Sequence, residues 1–389
     1  MKILFLKVKN DKGEVKMAEK MVASPKTKKE ELFPVKSVHY VEIYTGNAKQ
    51  AAYYYAKSFG FKLVAYKGLE TGSRDRVSYV MEQGAIRLIL TGTLSDNTDV
   101  AEFIKLHGEG VKDIALLVKD LEKTYAGAIE RGGIALREPW VEEDENGKVK
   151  KAILGTYGDT IHTLVESVDY KGVFMPGFEA RENTLESQPT GLIGVDHLVG
   201  NVEVMEEWTN YYESAFGFTV LKHFDDEDIS TEYSALMSKV MMNGTGRIKF
   251  PINEPAEGKR KSQIQEYLDY YNGPGVQHLA LLTNDIIGTV AALKENGVEF
   301  LNTPETYYKE LANRVGDIDE DVKRLQELNI LVDRDDEGYL LQIFTKPLVD
   351  RPTLFIEIIQ RKGALGFGDG NFKALFESIE REQELRGNI

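Results

Sequence analysis

The chain has no cysteine among its 389 residues. That absence excludes a disulfide framework, a thiolate nucleophile and a thiolate metal site, and it suits a reducing compartment such as the cytoplasm. Positive charge is also scarce, with 48 Lys and Arg against 63 Asp and Glu and a net charge of −15. Phosphate binding needs a basic footprint, so nucleic acid is not an expected partner. No apolar run approaches the ~20 residues that span a bilayer, so no membrane partner is expected either. The opening MKILFLKVKN has a short apolar core, but the lysine-rich stretch that follows lacks a small-residue cleavage site, which argues against a signal peptide. Residues 1–31 are expected to be a loosely attached extension.

What is present is an ordinary globular composition and a length that predicts about two domains of roughly 150 residues each. Apolar periodicity predicts strands over 37–44, 61–66, 76–82, 85–91 and 112–118, and helices over 47–58, 99–107 and 120–132. Two more strands are expected near 149–154 and 160–167, with an exposed acidic loop at 142–147. From residue 191 the same order returns. VDHLVGNV (195–202) matches 38–43, AFGFTVL parallels SFGFKLV, GVQHLALLT (275–283) matches GVKDIALLV (110–118), and 353–357 matches 163–166. Self-matches of this kind indicate duplication. The expected fold class is α+β, with four β-α-β-β-β modules forming two open barrel-like domains. The first domain would cover 32–170 and the second 191–389, joined by a linker over 171–190.

The repeat places ligand-type residues at matching points. In the second half these are His197, His278 and Glu357, and in the first half His39, Asp113 and Glu166. The longer last interval of the second half reflects an insertion through 307–328. Two histidines and one carboxylate on separate strands form the facial set that suits Fe(II) and leaves coordination positions open. A lone strand histidine is more often a satisfied hydrogen-bonder, yet three such residues at equivalent points, each flanked by apolar neighbours, favour a metal. The first-half trio has Asp113 where a histidine would stand, and it reads as a relic or a structural group. His107, His162 and His223 fit no such pattern and read as surface residues or local hydrogen-bonders. Beyond a strand at 353–359, GALGFGDG offers a glycine hinge. A helix over 371–386, with Phe372, Leu375, Phe376 and Ile379 on one face, is placed to close over the site as a lid.

The strings VDHLVGNV, PINEPAEGKRKSQIQEYLDYYNGPGVQHLALLT, LVDRDDEGYLLQIFTKPLVDRPTLFIEIIQR and GFGDGNFKALFESIE, with a terminal RGN, resemble the 4-hydroxyphenylpyruvate dioxygenase family of the vicinal-oxygen-chelate superfamily. The likeness runs from about residue 34 to the C-terminus and is closer in the second half. It implies a duplicated vicinal-oxygen-chelate fold with a C-terminal helical lid. It implies one Fe(II) per subunit on His197, His278 and Glu357. It places a substrate pocket on Ser238, Asn253, Gln263, Gln277, Gln342, Phe344, Phe367 and Phe372, with Gln277, Gln342 and Phe367 as catalytic groups.

The implied reaction takes 4-hydroxyphenylpyruvate and O2 to homogentisate and CO2, in tyrosine and phenylalanine catabolism. The substrate's own α-keto acid would chelate the iron, so no 2-oxoglutarate is required. A homo-oligomer, dimer or tetramer, with contacts on the first half, is a further implication. By their residue types alone, Asn253, Gln263 and Gln342 also fit surface hydrogen bonding, and Phe367 and Phe372 fit helix packing. Two other functions stay open: hydroxymandelate synthase acting on the same substrate, and a metal-free binder of aromatic acids. PINEP and GFGDGNF favour ring hydroxylation over the first, and the intact trio speaks against the second. A glyoxalase-like isomerase or an extradiol dioxygenase would lack the string around the lid.

Overall fold

A computed structural model describes residues 2–9, 15–22, 32–167, 169–182, 185, 187–224, 235–256 and 258–387. One unit comprises Met1–Leu32. In it β1 (Lys2–Lys9) and β2 (Val15–Val22) pair antiparallel, with Lys2 opposite Val22. Half of the expected loose extension is therefore a hairpin. The rest of that extension and Asn388 of the terminal RGN lie outside the described residues.

The second unit, Phe33–Ile389, is built from four modules of one strand, one helix and three strands. The first is β3 (Val35–Tyr44), α1 (Ala48–Phe59), β4 (Lys62–Lys67), β5 (Arg76–Gln83) and β6 (Ile86–Thr93), after which α2 (Asp99–His107) leads on. The second is β7 (Gly110–Val118), α3 (Leu121–Glu130), β8 (Ala135–Asp144), β9 (Gly147–Gly155) and β10 (Ile161–Glu166), and a short β11 (Glu179–Ala180) follows. The third is β12 (Leu192–Asn201), α4 (Met205–Phe216), β13 (Thr219–Phe224), β14 (Ala235–Met242) and β15 (Lys249–Ala256), followed by α5 (Gln263–Tyr271). The fourth is β16 (Gly275–Thr283) and α6 (Ile286–Glu295), three short helices α7 (Glu305–Lys309), α8 (Leu311–Val315) and α9 (Val322–Leu328), then β17 (Leu331–Arg334), β18 (Tyr339–Phe344) and β19 (Phe355–Lys362). Helix α10 (Phe372–Leu385) closes the chain.

Each pair of modules makes one sheet, ordered β11-β4-β5-β6-β3-β7-β10-β9-β8 and β13-β14-β15-β12-β16-β19-β18-β17. The modules join where their first strands meet antiparallel, β3 on β7 and β12 on β16. Within a module the first and last strands run parallel, a pairing that needs a crossover, and the helix supplies it. The repeated Phe-Gly-Phe is the crossover's stop. Gly60 and Gly217 end α1 and α4 with φ of 77° and 64°, a left-handed turn open to glycine. The flanking Phe59, Phe61, Phe216 and Phe218 are all buried in a core that both sheets share.

The acidic stretch expected as an exposed loop is instead the end of a strand and its turn. Glu142, Glu143 and Asp144 belong to β8 and pair with Val149, Lys148 and Gly147. Lys151 and Lys148 neutralise Glu142 and Glu143, which is how such a charged run tolerates sheet pairing.

The concave face of the first sheet is filled from within. Phe174 and Met175, from the segment after β10, lie buried against Tyr40, Val80, Ile89 and Val165. Beside them the Thr91 hydroxyl donates to Glu42 at 2.6 Å. Burial raises the Glu42 carboxyl to about 7, the Thr91 hydrogen bond opposing it in part. A folded-state value above the ordinary 4.5 means that the neutral form favours folding. Its contribution is complete below 4.5 and fades as pH rises through 7. Glu42→Gln should remove that fade, so chemical-denaturation midpoints of parent and variant should separate between about pH 5 and about pH 8, the variant being the more stable at the upper end. A separation that does not change with pH would refute this.

Candidate metal centre

Strands β12, β16 and β19 lie side by side, and their register sets the site. His197 stands opposite Ala280, and Ala280 stands opposite Glu357. His278, two residues from Ala280, projects from the same face of β16. The methyl group between the outer strands leaves room for the three longer side chains to converge. His197 Nε2 and His278 Nε2 each lie 3.2 Å from Glu357 Oε2. All three residues are buried, at 3%, 7% and 3% exposure.

Each imidazole is held by the residue before it in its own strand. His197 Nδ1 donates to Asp196 Oδ1 at 2.8 Å, and His278 Nδ1 donates to Gln277 Oε1 at 2.9 Å. That turns both Nε2 atoms toward Glu357, and in a neutral imidazole so held Nε2 carries the lone pair that a metal requires. Asp196 reaches its histidine because a bulge between Val195 and His197 adds one residue to β12. Bulges re-aim side chains in this way.

The set fits a divalent metal. His278 Nε2 and Glu357 Oε1 are buried without a hydrogen-bond partner, which is costly unless something else meets them. Nitrogen and carboxylate ligands at about 2.0–2.2 Å from one ion would stand near the observed spacing. Burial alone would raise the Glu357 carboxyl, but His197's charge and the two imidazole contacts hold it down at about 2. Burial pushes His197 down, and the Glu357 charge reverses this to a net rise. In His278 burial prevails and the imidazole is held below its usual range. The pocket thus favours a carboxylate together with one neutral imidazole.

A cavity opens above the trio, walled by β14, β15, β18 and α10. Ser238, Asn253, Gln263, Gln277, Gln342, Phe344, Phe367 and Phe372 all line it, so the structure brings together the eight pocket residues that the resemblance implies. Its apolar wall also includes Phe376 of the expected lid face, together with Val199, Phe224, Leu236 and Phe355, residues that periodicity alone marks only as core. Asn253 Nδ2 donates to Asn201 Oδ1, while Gln342 Oε1 is buried and unpartnered. Phe367 meets the His197 ring edge-on at 5.0 Å. The hinge before α10 is pinned: Tyr307 Oη donates to Asn371 Oδ1 at 2.6 Å, and Arg314 donates to the Gly370 carbonyl. The insertion seen in the sequence therefore anchors the lid.

Two charged groups behind the centre, Asp196 and Arg361, stand outside the ligand pattern of the sequence. Arg361 donates to Asp196 at 2.7 and 2.8 Å. The only signal for Asp196 was its place beside His197, and nothing nearby in the chain pointed to Arg361.

In the first half the register corrects two of the three expected counterparts. Val41 pairs with Ile114 as Leu198 pairs with Leu279, so Tyr40 occupies the place of His197, and His39 that of Asp196. Asp113 opposes Ile161 as His278 opposes Phe355, which puts Thr163 at the place of Glu357. Glu166 instead accepts the Leu121 N–H at 2.7 Å. The true counterparts bind one another: Tyr40 Oη and the Thr163 N–H both donate to Asp113 at 2.9 Å. Nor are His107 and His162 surface residues. Both are buried, and they tie the first half to Tyr271 and Tyr212 of the second, while His223 is exposed as expected.

Asp113→Ala would leave two buried donors unpaired, each costing ~1–3 kcal/mol. The variant should melt earlier while metal uptake at the other site stays unchanged, measured by thermal unfolding and calorimetric titration. Lost metal uptake in a folded variant would reverse the assignment.

The glyoxalase/bleomycin resistance protein/dioxygenase superfamily model matches residues 37–160 and 194–343. A 4-hydroxyphenylpyruvate dioxygenase from Danio rerio is 50% identical over 363 residues, covering 90% of this chain and 91% of that protein. The protein of the same name from Dictyostelium discoideum is 47% identical over 362 residues, covering 90% and 99%. Among solved structures, a triple mutant of 4-hydroxymandelate synthase from Streptomyces coelicolor superposes with a TM-score of 0.81 at 34% identity, covering 90% of this chain and 99% of that one.

Proposed function

The chain belongs to the 4-hydroxyphenylpyruvate dioxygenase family, and from that membership we propose that it converts 4-hydroxyphenylpyruvate and O2 to homogentisate and CO2 at the His197–His278–Glu357 centre. The observation that carries the reading is the buried trio itself, with unpartnered ligand atoms facing an aromatic cavity. Bound there, ferrous iron supplies the electrons that activate O2 for decarboxylation of an α-keto acid and hydroxylation of its ring.

The chain's own residues do the rest. His197 and His278 hold the metal through Nε2, and Glu357 holds it through its carboxylate. Phe344, Phe355, Phe367 and Phe372 present ring faces and edges to an aromatic substrate. Ser238, Asn253 and Gln263 line the same cavity and offer hydroxyl and amide groups to a phenol hydroxyl. Gln342, with an acceptor unmet in the cavity, suits an N–H or O–H near the reacting carbon. Gln277 lines the same cavity while it holds His278, so a substrate that contacts Gln277 also touches the metal's surroundings. Helix α10 covers the cavity with Leu375, Phe376 and Ile379 and keeps water out.

One iron per subunit, a cytoplasmic setting and a homo-oligomer complete the proposal. Among the described residues no helix is long and apolar enough to cross a membrane. The alternative reading, benzylic hydroxylation to hydroxymandelate, rests on the 34% identical synthase structure, against 50% identity to the Danio rerio dioxygenase. Product analysis separates the two.

Purified protein given Fe(II) and 4-hydroxyphenylpyruvate without oxygen, then exposed to O2, should release homogentisate, identified by chromatography and mass. Hydroxymandelate would transfer the chain to the synthase reaction, and no product from iron-loaded protein would leave a binding protein. Glu357→Gln keeps size but loses the anionic ligand. Turnover should fall by roughly 100-fold or more with the fold retained by circular dichroism. Parent-like turnover would remove Glu357 from the centre.

A further inference from the structure

Arg361 lies four residues beyond Glu357 on β19 with its side chain 14% exposed, and its guanidinium faces two ways. Toward the metal centre, Nε and Nη2 grip Asp196 at 2.7 and 2.8 Å, the same carboxylate that accepts the His197 Nδ1–H at 2.8 Å. Toward the lid, Nη1 donates to the Gly366 carbonyl at 2.7 Å and to the Ala364 carbonyl at 3.2 Å. The guanidinium also sits 5.5 Å from the ring centre of Phe367, whose edge meets His197.

We propose that Arg361 is a positioning residue that couples closure of the lid, residues 364–385, to the orientation of His197, so that metal loading and lid closure favour one another. The guanidinium is planar, and its donors keep fixed relative directions. It can satisfy both sides at once only while the hinge is seated. When the hinge leaves, two donors in a largely buried place lose their acceptors, and the fork turns in search of others. Asp196 then loses its two-pronged partner and keeps only Lys249, at 3.7 Å, on its outer side, so the acceptor that aims His197 Nε2 is less firmly placed. The linkage is reciprocal: whatever aims His197 also holds the hinge. Asp335 secures the hinge from the other side, accepting the Leu365 and Gly366 N–H groups at 2.8 and 2.7 Å without contacting Asp196 or any ligand residue.

The inference rests on the trio being a metal site, and Co(II), a redox-stable stand-in, tests the two ideas separately. In the parent, Co(II) should slow amide hydrogen exchange over residues 364–385 by at least ~5-fold, the low end of ordinary coupling. In Arg361→Gln, and in Arg361→Lys, which keeps charge but loses the fork, that metal-dependent slowing should vanish while circular dichroism stays parent-like. Asp335→Ala supplies the converse on a variant that leaves Asp196 and the three ligand residues intact. Its hinge should exchange faster, and calorimetry should show Co(II) bound ~5-fold more weakly. Full metal-dependent slowing in Arg361→Gln, or a loosened hinge with unchanged Co(II) affinity in Asp335→Ala, would overturn the coupling. A parent that takes up no Co(II) would overturn the metal site and the coupling with it.

Discussion

Everything in the second half depends on the register of three adjacent strands about one methyl group. Because Ala280 separates His197 from Glu357, and His278 two residues earlier lies on the same face, three side chains of different length reach one point. A slip of one residue in β16 would turn His278 toward the helices and bring Leu279 or Leu281 into the cavity. The pairing is therefore held by more than its ladder. The bulge at Asp196, the parallel partner β19 and the small alanine each exclude an alternative alignment.

Much of this was legible in the sequence, for identifiable reasons. Alternation and helix-stop glycines gave the module order, since Phe59-Gly60-Phe61 and Phe216-Gly217-Phe218 mark the same crossover twice. The three ligands were legible because each sits inside a string that repeats or resembles a known one. What failed was residue-level matching between the halves. Both halves carry the bulge at the same point, so the ungapped match of Val38 with Val195 already sets His39 against Asp196, and the letter that His39 shares with His197 misleads. A short gap before Glu166 likewise drew that residue to the place held by Thr163, because shared letters do not report strand register. Arg361 was invisible for another reason: its partners, Asp196 and the hinge carbonyls, come together only when β12 and the lid meet.

The two halves show how one scaffold accommodates opposite demands. In the first, Tyr40, Asp113 and Thr163 close on one another, and Phe174 and Met175 occupy the concavity, so the groups at the place of the metal trio find their partners within the chain. In the second, His278 Nε2, Glu357 Oε1 and Gln342 Oε1 are left unpaired. Leaving buried polar atoms unmet lowers stability, and the filled half, packed against it through His107 and His162, gives the open one a firm base.

The two imidazoles are held by neighbours of different kinds. Asp196 is charged, enclosed and tied to the scaffold by a guanidinium, whereas Gln277 is neutral and forms part of the cavity wall. One ligand is therefore steered from behind, by the frame, and the other from the front, by whatever molecule presses against the amide. A guest in the cavity would act on His278 directly through that amide and on His197 only by way of the Phe367 ring and the lid, which makes the site directional before any guest arrives.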